Sequence, residues 1–303
     1  MHTYMRAIGF SEPISRAQQI ELIQENCKNP TRVFYYPDSS NPDGVQAQYD
    51  LEVGRGLGLS VLGTVNDNRD FYPEFWYPYM TPGTVSSEDA IALVDKRVDN
   101  NSYSGQCDDL RLGVTVIYRL LNCLEYQKRL EKDPQVLQHV SQSLLGLSLE
   151  GHILMPIYET EDEVERGKRL FHERQDLLHM ADAGDENAPQ KLSMLELDTA
   201  DNAVNRMQQY DEDYYSVVES VLMPHGMECE LYSVLGKIKK ISYTANNITL
   251  DQICRMTIEI NGFPLEIGIN VEDLVGEPAV GRRFKGNVWM LGTLQFRDKD
   301  AGQ

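Results

Sequence analysis

Two runs of alternating apolar and polar residues, separated only by Asn261-Gly262, constrain the fold of this chain more than any other feature. Alternation with a period of two indicates strands, and a two-residue type I′ turn requires positive φ at both positions, which Asn and Gly adopt readily. The pattern predicts a hairpin in which Ile260 pairs with Phe263 and Ile258 with Leu265. Its apolar face comprises Cys254, Met256, Ile258, Ile260, Phe263, Leu265 and Ile267.

Further strand signals surround this hairpin. Strands are expected at 236–242 and 284–296, and Asn270 can cap a short helical turn between them. The order β-β-β-α-β-β is that of small barrels of the OB or SH3 type. Residues 227–297 are therefore predicted to form a small OB-like or SH3-like β-barrel, followed by a polar tail at 298–303.

The N-terminal part, residues 1–157, combines helix and strand signals. Ser15 begins a capping box before a helical run, and a Gly-rich turn joins two alternating segments at 49–53 and 57–61. The polar run that begins at Ser86 predicts a second capped helix. We expect an α+β domain with a mixed sheet and helices.

An aromatic stretch at 71–79, FYPEFWYPY, carries aromatic side chains on both faces of a predicted strand. Such a strand should be buried on two sides, because aromatic rings bring a large apolar area. A stacking platform for a ligand is the alternative interpretation.

The middle of the chain, residues 158–226, is strongly acidic and favours helices. Residues 159–219 contain seventeen Asp and Glu against six Lys and Arg. A capping box at Thr160 and Glu163 begins a charged helix, and breaks are expected near Gly184 and Pro189. This segment is predicted to be a solvated helical connector.

The charge and the cysteine content exclude several classes of protein. The chain carries a formal net charge of −19, which repels nucleic acid and anionic membranes. Its longest apolar stretch, 112–121, is far shorter than the roughly 20 residues of a membrane helix. Five cysteines lie far apart without Cys-x-x-Cys spacing, which argues against a disulfide framework or a zinc site. We expect a cytoplasmic protein with no membrane partner and no cofactor.

The C-terminal region differs in charge, since residues 231–297 contain eight Lys and Arg against six Asp and Glu. The candidate ligand-binding residues within it are Arg282, Arg283, Lys285 and Trp289. Cations beside an aromatic ring are typical of a groove for single-stranded nucleic acid, but they also suit a solvated strand edge protected by charge. A protein or a small molecule is favoured over nucleic acid as the partner, because the whole chain is acidic.

Signatures of metal binding and catalysis are weak. His172, Asp176 and His179 share one helical face, but apolar residues occupy the opposite face, so solvent exposure and no metal site are expected. An enzyme would have to assemble its site from distant residues such as Cys107, His152 and the middle-region carboxylates. The acidic neighbours of Cys107 would raise the pKa of its thiol and so oppose a nucleophilic role.

Several short segments resemble the domain of unknown function family 3881 of clostridial-type Gram-positive bacteria. They are RAIGF at 6–10, YPY at 77–79, CDD at 107–109, GEP at 276–278 and VGRRFKG at 280–286. The resemblance implies a bacterial cytoplasmic protein and carries no activity or site residues with it. Function is therefore open between a non-catalytic binding or interaction protein, which we favour, and an enzyme with a site assembled from distant residues.

Overall fold

The fold of the protein was obtained as a computed structural model, in which about 48% of the described part of the chain is strand and 28% is helix. The chain divides into two compact units, one formed by Met1–Leu154 with Leu222–Gln303 and the other by Met155–Val221. The structure describes residues 3–12, 15–37, 45–90, 93–96, 102–132, 140–157, 161–210 and 214–296. The polar tail predicted at 298–303 lies outside the described residues.

The first sheet of the larger unit is antiparallel and has the strand order β1-β2-β3-β4. Its strands are β1 (Arg32–Pro37), β2 (Val45–Gly54), β3 (Leu57–Val65) and β4 (Phe71–Met80). β2 and β3 form the hairpin predicted from the alternating segments. Ser15 caps helix α1 (Arg16–Lys28) with the predicted capping box. The buried Asn26 of this helix donates to the carbonyls of Tyr49 and Leu59, which anchors α1 on the sheet.

The second sheet is mixed and follows the path β10-β11-β12-β13-β9-β15-β8-β7-β6, with β5 and β14 paired to β9 and β11 also paired to β15. Its strands are β5 (Ser87–Ala90), β6 (Leu93–Lys96), β7 (Tyr103–Asp108), β8 (Thr115–Leu120), β9 (Val140–Leu154), β10 (Val221–Pro224), β11 (Leu231–Ala245), β12 (Gln252–Ile260), β13 (Phe263–Asn270), β14 (Leu274–Val275) and β15 (Arg283–Phe296). Helix α2 (Cys123–Lys132) follows β8, and a 3-10 helix at Thr3–Ile8 opens the unit. One continuous hydrophobic core contains residues of both sheets.

The predicted hairpin at Asn261-Gly262 is confirmed as β12 and β13. Ile260 pairs with Phe263 and Ile258 with Leu265, and φ is 52° at Asn261 and 82° at Gly262. Every residue of the predicted apolar face is at most 1% exposed. Local alternation and turn chemistry therefore determined both the register and the buried face.

The predicted fold class is wrong. We expected α+β, with a mixed N-terminal sheet and helices, an acidic helical middle region and a C-terminal small β-barrel, whereas large sheets dominate the chain. Residues 227–297 do not close an OB-like or SH3-like barrel by themselves: β11 pairs with β15, but β9 lies between β13 and β15 and pairs with both. β15 also continues the sheet to β8. Alternation predicts strands but not their partners, so the insertion of a strand from the first half of the chain was not visible.

The helix expected after Ser86 is also wrong. The described residues there form strands, with Ser87 and Ala90 paired to β9 and Leu93–Lys96 paired to β7. Pairing with strands distant in sequence outweighed a favourable local cap, as tertiary context often does.

The smaller unit contains α3 (Glu161–Asp182), α4 (Ala188–Tyr210) and α5 (Tyr214–Val217). Leu177, Leu178 and Ala188 are its most buried apolar residues, and Arg174 Nη2 donates to Glu196 Oε1 over 3.1 Å. Within the described ranges, no helix is long and apolar enough to cross a lipid bilayer.

Candidate functional site

Four polar side chains form a row across the first sheet. Arg32 of β1 is directly opposite Asp50 of β2, Asp50 is opposite Ser60 of β3, and Ser60 is opposite Tyr77 of β4. Residues directly opposite in an antiparallel sheet share a face and have Cβ atoms about 5 Å apart. The sheet register alone therefore places a cation, a carboxylate and two hydroxyls side by side.

This cross-strand row lines a cavity of about 90 Å³, which we call the Asp50 cavity. Its other walls come from the connection between β8 and α2 and from Thr293 of β15. A water molecule needs about 10 to 15 Å³ of such volume, so the cavity has room for several waters or one small molecule. The polar residues among its lining are Arg32, Gln48, Asp50, Ser60, Tyr77, Tyr79, Thr81, Asn122, Glu125 and Thr293.

Asp50 is a buried carboxylate with incomplete pairing. It is 3% exposed, and its Oδ1 accepts a hydrogen bond of 3.0 Å from Gln48 Nε2. Its Oδ2 lies 3.5 Å from Arg32 Nη2, which is longer than a hydrogen bond of good geometry. Burial raises the pKa of Asp50, and the opposing effects of Gln48, Ser60 and Arg32 do not cancel that shift.

Two hydroxyls at the cavity are buried without a partner. Ser60 is 1% exposed and Tyr77 is fully buried, and neither hydroxyl makes a hydrogen bond within the described part of the chain. Ser60 is near enough to influence the pKa values of Asp50 and Tyr77, but not in hydrogen-bond geometry. A buried polar group without a partner costs about 1 to 3 kcal/mol, so the folded protein bears a penalty here that a bound molecule can relieve.

Arg32 and Tyr79 border the opening of the cavity. Arg32 Nη2 donates to the Tyr79 hydroxyl over 3.2 Å, and the Arg32 side chain is 46% exposed. Burial raises the pKa of Tyr79 to about 12, so its hydroxyl stays protonated at neutral pH. Because the guanidinium is exposed and its contact with Asp50 is long, Arg32 can move aside without becoming a buried unpaired cation.

The walls of the cavity are fixed by side chains that bond to the backbone. Gln48 Nε2 also donates to the carbonyl of Leu121 over 3.2 Å, which joins β2 to the connection before α2. Asn122 of that connection exchanges two hydrogen bonds with the backbone of Leu294, of 2.9 and 3.1 Å. The carboxylate and the hydroxyls are therefore held in place before any ligand arrives.

Arg119 lies behind Tyr77 as a buried cation. Its guanidinium carbon is 5.1 Å from the ring centre of Phe75, 5.8 Å from that of Tyr77 and 6.0 Å from that of Trp289. Arg119 is 6% exposed and is paired with Glu230 over 3.6 Å. Cation–π contacts of this kind fix the orientation of the Tyr77 ring at the cavity.

The structure places the predicted ligand-binding residues away from this cavity lining. Arg283 and Trp289 are 5% and 3% exposed, and Lys285 is half-buried. Arg282 Nη1 donates to the carbonyl of Glu277 over 2.6 Å. A buried Trp289 presents no open face for stacking on a base, and the ligand-binding role of the four residues stays a prediction.

The residues considered for an assembled enzyme site lie in different surroundings. Cys107 of β7 is fully buried, and burial, with Asp109 nearby, raises the pKa of its thiol to about 12. The thiol is therefore protonated at neutral pH and a poor nucleophile. His152 lies exposed on β9, and His172, Asp176 and His179 lie exposed on α3.

Sequence reasoning missed Arg32, Asp50 and Ser60. The usable signal was the aromatic stretch at 71–79, which predicted a strand buried on both faces. If one strand of a sheet is buried on both faces, polar residues on the neighbouring strands cannot all reach solvent. The structure bears this prediction out only for Tyr77–Met80, since residues 72–74 of β4 are exposed. Combined with the correctly predicted hairpin of β2 and β3, the buried half of β4 leads to Asp50 and Ser60.

Comparison with known proteins identifies a family. The family model described as "Domain of unknown function, E. rectale Gene description (DUF3881)" matches residues 5–292 of the chain, which confirms the resemblance inferred from the sequence. No curated protein matches the chain, and no solved structure matches it. All residues of the cross-strand row lie within the matched range.

Proposed function

We propose that this chain, which belongs to that family of unknown function, is a non-catalytic cytoplasmic protein that binds a small organic cation in the Asp50 cavity. The observation that carries the proposal is the combination of a buried, poorly paired carboxylate with two buried hydroxyls that have no hydrogen-bond partner among the described residues. A primary ammonium group that also bears a hydroxyl supplies what each of these groups lacks.

The positions of Asp50 and Arg32 in the cavity indicate that the ligand is positively charged. The carboxylate of Asp50 lies inside the cavity, whereas the guanidinium of Arg32 is at its opening and half exposed. A cation that enters displaces Arg32 and pairs with Asp50 in a site of low dielectric, where such a contact is strong. An anion would instead meet a buried carboxylate and be repelled.

The lining supports binding rather than catalysis. Known ligand sites combine apolar walls with a few fixed polar groups, and here Phe34, Tyr79 and Leu121 supply the walls. Cys123, whose thiol lies 3.9 Å from Gln48 Oε1, is fully buried, and burial raises its pKa to about 12. The described lining residues include two carboxylates, the buried Asp50 and the exposed Glu125, but neither a His nor a reactive thiol.

The cytoplasm is the compartment that suits the cysteines. All five, Cys27, Cys107, Cys123, Cys229 and Cys254, are free thiols. Free thiols persist in a reducing compartment and tend to pair in an oxidising one.

The test compares two probes of nearly equal size. Ethanolamine carries an ammonium and a hydroxyl, whereas ethylene glycol carries two hydroxyls and no charge. Ligand-observed NMR on the full chain should detect binding of ethanolamine at millimolar concentration and no binding of ethylene glycol. Asp50→Asn should abolish the ethanolamine signal, whereas Asp67→Asn, at an exposed position outside the cavity lining, should leave it unchanged.

A second pair of variants separates the hydroxyls from the carboxylate. Ser60→Ala and Tyr77→Phe should weaken the binding of ethanolamine but not that of ethylamine, which has no hydroxyl to present. Retention of the ethanolamine signal in Asp50→Asn would contradict the proposal, and so would equal binding of ethylene glycol.

A further inference from the structure

A second recess lies where the turn between β2 and β3 meets the ends of β11 and β12. The turn is held there because Asn247 N donates to the carbonyl of Val53 over 2.5 Å. A Cβ at Gly54 would lie 2.2 Å from the Ala245 carbonyl oxygen, so only glycine permits this approach of the two strands. The recess has a volume of about 430 Å³. We call it the basic groove, defined by Arg55, Gly83, Lys240, Ser242, Arg255 and Glu266.

Arg255 is fixed in the groove by the residues beneath it. Its Nη2 donates to Glu266 Oε2 over 2.6 Å and to the Thr81 carbonyl over 2.9 Å. The second carboxylate oxygen of Glu266 accepts a bond of 2.9 Å from the backbone N–H of Gly83. Each oxygen of the carboxylate therefore accepts a hydrogen bond, while Nε and Nη1 of Arg255 make no hydrogen bond within the described ranges.

Arg55 and Lys240 add two positive charges to the groove. Both are exposed, and neither forms an ion pair with any residue that the structure describes. Lys239, the residue before Lys240 on β11, is different, because its Nζ lies 2.7 Å from Glu259 Oε1. The groove thus holds three cations against one carboxylate, in a chain whose net charge is −19.

The sheet register brings the donors to one face. Lys240 is opposite Thr257, and Ser242 is opposite Arg255, so a cation and a hydroxyl stand together in each pair. A guanidinium with two free donor positions, an ammonium and hydroxyls form the donor set that binds phosphoryl oxygens. We propose that the basic groove binds the phosphoryl groups of a soluble phosphorylated metabolite.

The volume supports a ligand larger than a single phosphate. Sites for small molecules commonly occupy about 300 to 1,000 Å³, and the groove lies in that range. Uncompensated like charges in a groove repel each other, and a bound anion removes that repulsion. This inference is independent of the Asp50 cavity, because the two sites share no residue of the cross-strand row.

The test uses pyrophosphate as the probe, with calorimetry on the full chain at low salt. Arg55→Gln and Lys240→Gln should each raise the dissociation constant by roughly fivefold, and the double variant should lose most of the binding. Lys239→Gln is the matched control, since it removes one charge from the same strand outside the groove lining, and it should bind like the unmodified chain. Binding should weaken as salt is added.

A second arm distinguishes a soluble ligand from a lipid headgroup. Vesicles of phosphatidylglycerol should not bind the chain in flotation, whereas pyrophosphate should bind in solution. Vesicle binding in place of pyrophosphate binding would overturn the proposal. So would equal pyrophosphate affinities for the double variant and for Lys239→Gln, provided that circular dichroism shows both to be folded.

Discussion

Asp109 and Asp50 are both largely buried aspartates that have an arginine and a serine as neighbours, but only Asp109 has a complete set of partners. Arg111 donates to both oxygens of Asp109 over 2.8 and 2.6 Å, and Ser87 Oγ donates to Oδ2 over 2.8 Å. Asp50 has one long contact to its arginine and no hydrogen bond from its serine.

The pKa values of the two carboxyls move in opposite directions for this reason. Burial raises the pKa of Asp50, and its partners do not compensate. Burial also acts to raise the pKa of Asp109, but the hydrogen bonds from Arg111 and Ser87 outweigh it, so that pKa is lowered. The same three residue types thus form a fully hydrogen-bonded cluster in one place and an incompletely paired one in the other.

The largest expected effect on stability comes from a change in the cluster formed by Asp109, Arg111 and Ser87. Asp109→Asn should lower the free energy of unfolding by about 3 kcal/mol, because Arg111 would lose the carboxylate that neutralises it. Arg111 also donates to the carbonyls of Ser86 and Gly262, so the damage extends to the β12–β13 hairpin. Asp108→Asn, at the exposed neighbouring position, should change stability by no more than about 0.5 kcal/mol.

Denaturant unfolding of both variants provides this comparison. The stabilisation from Asp109 is fully present above the ordinary pKa of an aspartate and is lost as the pH falls through its lowered native pKa. The difference between Asp109→Asn and the unmodified chain should therefore shrink in acid. Equal losses of unfolding free energy in Asp109→Asn and Asp108→Asn at neutral pH would show that the Asp109 cluster does not stabilise the fold.

A smaller difference in stability is expected between the Phe substitutions of two buried tyrosines, Tyr118 and Tyr77. The Tyr118 hydroxyl donates to Gln142 Oε1 over 3.0 Å, whereas the Tyr77 hydroxyl has no partner among the described residues. Tyr118→Phe should cost about 1 kcal/mol of unfolding free energy. Tyr77→Phe should lie within about 0.5 kcal/mol of the unmodified chain, or be more stable, when no ligand is present. Equal losses in thermal unfolding would indicate that Tyr77 has a protein partner after all.

The parts of the fold that could be predicted from the sequence are those formed by residues close to each other along the chain. The capping box at Ser15, the β2–β3 hairpin and the hairpin at Asn261-Gly262 each follow from spacing within about twenty residues. The insertion of β9 between β13 and β15 depends on pairing across more than a hundred residues, for which alternation carries no information.

The candidate site was less predictable for a related reason. Arg32, Asp50, Ser60 and Tyr77 come from four strands, and only the full register of the sheet brings them into one row. A lone Asp or Ser in an alternating strand normally faces solvent, and nothing local distinguishes Asp50 from such a residue. The Asn-Gly turn, by contrast, carries its own conformational requirement in two adjacent residues.

The pKa of Asp50 is the most direct test of the account. NMR titration of a chain with carbon-13-labelled aspartate carboxyls, with and without ethanolamine, measures it. In the free protein the pKa should be raised, so that ionised Asp50 lowers stability at neutral pH and this penalty disappears as the pH falls. Ethanolamine should lower the pKa, because a bound cation favours the carboxylate, and its affinity should fall as Asp50 becomes protonated. A pKa at or below the ordinary aspartate value in the free protein, or one that saturating ethanolamine does not move, would contradict the account.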